Sequence, residues 1–180
     1  MIFNRINYRV GQFWNALYAH PTRRDLEWAF SILTPEQMAL FTRLRPSEQA
    51  HSLSVLERLT QNKHMDLEGE DQDLMVAALL HDVGKTLHPI HIWERVLIVL
   101  AKALFPEQVR QWGSGKPAGW RRVFVIAEQH PEWGAQLAAR AGASRLAVEL
   151  IRQHQNQIPD KSVDMFSGLL HRLQAADQDS

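Results

Sequence analysis

The sequence predicts an all-α fold, a single-domain helical bundle, and three observations carry that prediction. Apolar residues recur at i, i+3, i+4 and i+7 in almost every segment. No stretch alternates apolar and polar residues as a half-buried strand would, and no internal repeat is visible. With 180 residues, 45% of them hydrophobic and 22% charged, the chain can bury a sizeable core as one domain.

The elements follow in order. Phe3, Ile6, Val10, Phe13 and Leu17 stand at helical spacing in a first segment that ends near His20-Pro21. A second helix is expected over about 22–33. Thr34-Pro35-Glu36-Gln37 reads as a helix start: a threonine N-cap, a proline at the first helical position and a glutamine that completes a capping box. That helix is expected to end only at Pro46-Ser47, where the next begins and runs to Gln61. A polar, acidic connection, 62–71, leads into an apolar helix that ends at LLHDVGK, Leu79 to Lys85. Residues 92–104 read as a mostly buried helix. Three glycines and a proline within 113–119 mark a flexible loop, suited to a lid. Helices follow over about 120–129, 132–141 with Gly142 as C-cap, 144–155 with Ser144 as N-cap, and 162–176. The expected organisation is a helical extension, 1–46, packed on a core of 47–180.

Composition narrows the chemistry. Twenty Lys and Arg balance twenty Asp and Glu, so the summed charge calls for no nucleic acid and no strongly anionic partner. The absence of cysteine removes disulfides, thiolate metal sites and cysteine nucleophiles, and agrees with a reducing cytoplasm as the expected location. Residues 1–19 carry Arg5 and Arg9 inside their apolar pattern and lack the continuous apolar segment of a secretory signal. The longest apolar stretch, 90–105, contains His91, Glu94, Arg95 and Lys102 and is too short to cross a bilayer. Chemistry is left to His, Asp, Glu, Lys or Ser.

The informative residues extend apolar stripes although their chemistry resists burial. His81 continues the face of Leu74 and Ala78, and Asp82 that of Met75 and Leu79. His130 follows Val123, Ile126 and Ala127, and His154 follows Ala147, Leu150 and Ile151 at the same spacing. His51 shares a face with Val55 and Leu59, and Asp177 with Phe166, Leu170 and Leu173. Unpaired burial costs about 1–3 kcal/mol for a neutral polar group and more for a charge. Any one of these alone is ordinarily a core residue bonded to its neighbours. Six from five helices can instead satisfy one another around metal. Four imidazoles and two carboxylates form an all N/O set suited to Fe, Mn, Co, Ni or Zn, with Mg admissible. Asp82, with two oxygens, is able to bridge two such ions.

At this point the chain resembles the HD superfamily of metal-dependent phosphohydrolases, named for its adjacent His-Asp. The order of an upstream His, then His-Asp, then a distal Asp matches His51, His81-Asp82 and Asp177, and HDVGK is close to the family's HD, aliphatic, GK text. Two further stretches are similar to the two-metal branch: QHPEWGAQLAARAG, carrying His130, and AVELIRQHQ, carrying His154. Gln155 stands where many relatives have a second histidine, Gln129 replaces a frequent histidine, and the Gly-Tyr-Pro signature of cyclic-dinucleotide hydrolases is absent. The resemblance spans about 47–177. It implies a bundle around one or two divalent ions, with His51, His81, Asp82 and Asp177 on the first and Asp82 bridging to a second held by His130 and His154. It further implies a catalytic role for Asp82 and hydrolysis of a small phosphorylated, nucleotide-like substrate, and Lys85 is added as a catalytic candidate from its position one turn beyond His81. Two alternatives accompany it: a di-iron oxygenase on the same fold, and a non-catalytic signalling or scaffold module.

Lys85, one turn beyond His81, is the first candidate to meet a phosphate, and its alternative is a solvated cation at a helix end. His88 and His91 lie just beyond it, and Lys116, Arg121 and Arg122 lie in or after the glycine loop; these are the further substrate-binding candidates. GSGK at 113–116 is no phosphate loop, because Arg110 occupies the first glycine position and Pro117 the Ser/Thr position. Phe13, Trp14, Trp93 and Trp133 read as core or oligomer contacts, which leaves room for a homodimer.

Overall fold

A computed structural model describes residues 20–61, 69–158 and 164–180, and the expected first helix and most of the acidic connection lie outside these. The described residues form nine α-helices: α1 (Arg23–Ile32), α2 (Pro35–Phe41), α3 (Pro46–Gln61), α4 (Gly69–Leu80), α5 (Ile92–Leu104), α6 (Pro106–Trp112), α7 (Arg122–Arg140), α8 (Arg145–Gln153) and α9 (Met165–Asp179). Two 3₁₀ turns, Val83–Leu87 and Gly119–Arg121, complete them, and no strand is present among the described residues. The expected all-α class is the observed one.

Capping sets the boundaries. Thr22 caps α1 with Asp25 in a reciprocal box, Thr34 caps α2 with Gln37, and Ser144 caps α8. Gly142, at φ 76°, follows α7, and the Ala143 amide donates to the Ala138 carbonyl, a C-terminal closure that a residue with Cβ rarely adopts. Asp164 caps α9, which therefore starts later and runs further than 162–176.

Three expectations are corrected and one helix is added. The helix from Pro35 stops at Phe41, because Arg43 and Leu44 turn back onto the carbonyls of Leu40 and Phe41 and Pro46 disfavours a helical Arg45. Residues 106–112, for which the sequence predicts no element, form α6 with proline at its first turn. The two helices expected around Pro131 are one, α7. The helix over 92–104 is not mostly buried: Trp93, Val99 and Leu104 are 65, 63 and 68% exposed, and among its residues with described side chains only Glu94, Ile98 and Ala101 turn inward. Apolar residues on all sides of a helix signal burial only where neighbours surround it.

The centre of the bundle is α4, whose Leu74 to Leu80 are buried without interruption. It packs against α1, α2, α3, α8 and α9, while α7 packs on α8 and on the 3₁₀ turn that follows α4. Leu56, Leu74, Leu79, Leu150, Ile151 and Leu173 join these helices in one core. Burying such a side chain stabilises the fold by about 1.5–3 kcal/mol, which holds the helix ends next to it in fixed positions.

Candidate metal centre

Residues of α3, α7 and α9 and the C-terminal ends of α4 and α8 meet at one place. His51 stands in α3, His81 and Asp82 directly follow α4, His130 lies within α7, His154 is the C-cap of α8 and Asp177 lies near the end of α9. All six residues singled out from the stripes converge here, in two groups. Ligand atoms of His51, His81 and Asp177 lie within 4.8 Å of one another, and so do those of Asp82, His130 and His154. The His81 ring lies 5.4 Å from that of His51 and 5.1 Å from that of His154, so the groups are contiguous.

Local backbone chemistry aims the rings. The last carbonyls of a helix have no intrahelical donor. His81 Nδ1 uses this by bonding the Ala78 carbonyl at 2.8 Å, and His154 Nδ1 does so with that of Ile151 at 2.8 Å. In mid-helix, where no carbonyl is spare, Pro131 supplies one: it lacks the N–H that would bond Ala127, and His130 Nδ1 takes the Ala127 carbonyl at 3.1 Å together with that of Ile126. Each bond places the proton on Nδ1 and leaves an Nε2 lone pair facing the centre, the arrangement that orients metal-binding imidazoles.

Those lone pairs meet other acceptors. His81 Nε2 lies 3.7 Å from Asp82 Oδ2 and 3.6 Å from Asp177 Oδ1, and His130 Nε2 lies 3.3 Å from Asp82 Oδ1. His81 Nε2 and His154 Nε2 are buried with no hydrogen-bond partner. Such atoms ordinarily find one, and a cation among them would satisfy lone pairs that otherwise repel. The donor set therefore fits a divalent metal of the N/O-preferring kind. In the first group His51 Nε2 also bonds Asp177 Oδ1 at 2.9 Å, and Ser180 Oγ lies 3.1 Å from His51 Nδ1.

The electrostatics point the same way. Burial pushes the Asp82 carboxyl upward, but its neighbours, the Lys85 ammonium foremost, outweigh it and hold the group well below the usual carboxylate range. Asp177 is likewise lowered against its burial, by His51 and His81. Burial lowers His130, and burial with the neighbouring His81 and His130 lowers His154 to about 3. The second group is thus an ionised carboxylate with two neutral imidazoles, the protonation state that ligation requires.

The remaining candidates have other partners. Lys85 Nζ lies 2.5 Å from Asp82 Oδ2, at the edge of the centre. The His88 ring packs on Trp133 with 5.1 Å between centroids, and His91 caps α5, its amide donating to Glu94 Oε2. Arg122 donates to Glu94 Oε1 and to the Pro89 carbonyl, both at 2.7 Å, giving buried Glu94 its counter-charge. Arg121 lies over Trp120, and Lys116 is exposed in the glycine loop. Gln129 ties that loop to α7 through the carbonyls of Gly113 and Gly115.

Two recesses open beside the centre: about 170 Å³ next to Lys85 and His130, with aliphatic walls, and about 330 Å³ next to His154 and Asp177. A larger one, about 780 Å³ between Trp28 and Leu53, touches none of the six residues. Sequence reasoning missed Gln174 and Gln178, which line the second recess; their spacing around Asp177, one turn of α9, was the available signal.

Comparison with known proteins finds one family: the model of the HD domain matches residues 49–180. No curated protein and no solved structure matches the chain.

Proposed function

Starting from a chain that belongs to the HD domain family of metal-dependent hydrolases, we propose that it is a phosphohydrolase acting on a nucleotide or another small phosphate ester. The metal is held by His51, His81 and Asp177 and by Asp82, His130 and His154, with 47–180 as the catalytic domain and 1–46 as an extension packed on it. The observation that carries this reading is the convergence of buried, unpartnered imidazole nitrogens on two ionised carboxylates.

A bound divalent ion supplies Lewis acidity, drawing charge from a phosphoryl oxygen and acidifying a coordinated water. The chain's own residues do the rest. Asp82 stays anionic and offers one oxygen to each side of the centre. The backbone bonds at Nδ1 of His81, His130 and His154 turn their Nε2 atoms toward the centre. Lys85, partly exposed beside Asp82, moves its charge to the phosphate and neutralises a non-bridging oxygen. Attack of water on phosphorus forms one P–O bond as the ester P–O bond breaks, and the water's proton ends on the leaving alcohol.

The test is a screen of phosphate esters with protein purified with and without oxygen and loaded with Mn²⁺ or Mg²⁺. Metal-dependent phosphate release is expected. Asp82→Ala abolishes it, and Lys85→Met lowers kcat/KM about 100-fold while metal stays bound. Oxygen-dependent turnover with a mixed-valent iron signal would replace this reading by the oxygenase, and protein that takes up no metal would replace both by a non-catalytic module.

A further inference from the structure

The recess of about 330 Å³ beside His154 and Asp177 has a wall of unusual composition. Five of its residues carry carboxamides: Gln155, Asn156 and Gln157 follow His154 directly, and Gln174 and Gln178 flank Asp177 on α9. The two others, His154 and Asp177, belong to the candidate metal groups. Among the described residues no Lys, Arg, Phe, Tyr or Trp lines it.

The wall is braced and open. Gln174 Nε2 donates to the Asn156 carbonyl at 2.7 Å, joining the segment after α8 to α9, and the Gln155 amide lies 3.4 Å from His130 Nε2. Among the described residues no hydrogen bond engages the side-chain amides of Asn156, Gln157 or Gln178, and all three are exposed to an entering ligand.

Each property excludes a class of ligand. The described lining residues offer no cation to neutralise a second or third phosphate, which charge-assisted bonds from Arg or Lys would hold. They also include no aromatic ring on which to stack a base. What carboxamides offer is an acceptor and two donors each, with no charge. A vicinal diol needs that pairing, because each hydroxyl both donates and accepts. A volume of about 330 Å³ falls in the range that encloses small ligands.

We infer that this recess is a sugar subsite, so that the substrate is a monophosphate ester of a polyhydroxylated sugar, free or as the ribose of a nucleotide, held by its hydroxyls while the phosphate lies at the metal groups. The inference rests on the phosphohydrolase reading above and narrows it.

The test compares ribose 5-phosphate, ATP and p-nitrophenyl phosphate on Mn²⁺-loaded full-length protein and on the double variant Gln157→Ala/Gln178→Ala. Ribose 5-phosphate is expected to be preferred over both. In the variant the ratio of its kcat/KM to that of p-nitrophenyl phosphate should fall about tenfold, through KM, as the loss of two hydrogen bonds predicts. An unchanged ratio, or a preference for ATP, overturns the sugar subsite. Absence of turnover with every ester defeats the phosphohydrolase reading instead. Calorimetric titration of ribose 5-phosphate then decides the subsite alone: binding at least about fivefold weaker in the variant upholds it, and equal or absent binding overturns it.

Discussion

A Cβ placed on Gly84 would stand 2.0 Å from the carbonyl oxygen of His130 and 2.7 Å from the amide nitrogen of Gly134. The turn after Asp82 thus lies directly on the backbone of α7, and this contact sets the distance between the two elements that carry Asp82 and His130. Gly84→Ala is expected to force them apart, destabilising the protein by about 3 kcal/mol and weakening metal binding. Urea unfolding and Mn²⁺ titration of the same variant check both effects. Wild-type affinity in a folded Gly84→Ala protein would show that the turn moves without disturbing the centre.

The separation into two groups makes a prediction about stoichiometry. His51 belongs to one group and His154 to the other. Wild-type protein is expected to bind two Mn²⁺ ions per chain, and His51→Ala and His154→Ala each about one, measured by elemental analysis after gel filtration. A combined centre would behave differently: either substitution alone would then remove both ions.

The six residues were legible because burial and helical spacing are both written in the sequence. His81, Asp82, His130 and His154 end apolar stripes, and those stripes face the core through Leu74, Leu79, Ile126, Leu150 and Ile151. What spacing could not give were the partners that cross between elements. Arg122 read as free to meet a substrate, yet Glu94 and the Pro89 carbonyl hold it. The helix over 92–104 read as buried, because a run of apolar residues does not say whether another element covers it. Pro131 read as a break between helices, although the carbonyl it releases is the one His130 uses.

That last relationship can be tested. Pro131→Ala restores an N–H that competes with His130 Nδ1 for the Ala127 carbonyl, leaving the imidazole only Ile126 to hold its orientation. Metal-free protein should become more stable by about 1 kcal/mol or more, since alanine suits a helix interior and proline does not. Affinity for Mn²⁺ should fall about tenfold, the lower end of what loss of an orienting bond costs. Opposite movement of stability and metal affinity is the signature; a parallel change would mean that Pro131 acts on packing alone.

Acid should unfold the metal-free protein earlier than its surface charges alone would require. Burial holds folded His154 at about 3, against about 6.5 for an unfolded histidine. Between these values the unfolded chain binds a proton that the folded protein does not, so stability falls as pH falls, by about 1.4 kcal/mol per pH unit. From His154 alone the loss is about 2 kcal/mol by pH 5, and the lowered His130 adds to it in the same direction. Asp82 and Asp177, whose pKa values are lowered, contribute stability above the ordinary carboxylate range and lose it only as pH falls further, through their folded values. Urea midpoints of EDTA-treated protein should therefore decline already between pH 7 and pH 5, above the range in which Asp82 and Asp177 lose their contribution. A midpoint that stays level over that interval would mean that folded His154 accepts a proton, and that its Nε2 is no longer the unpaired acceptor on which a metal would sit.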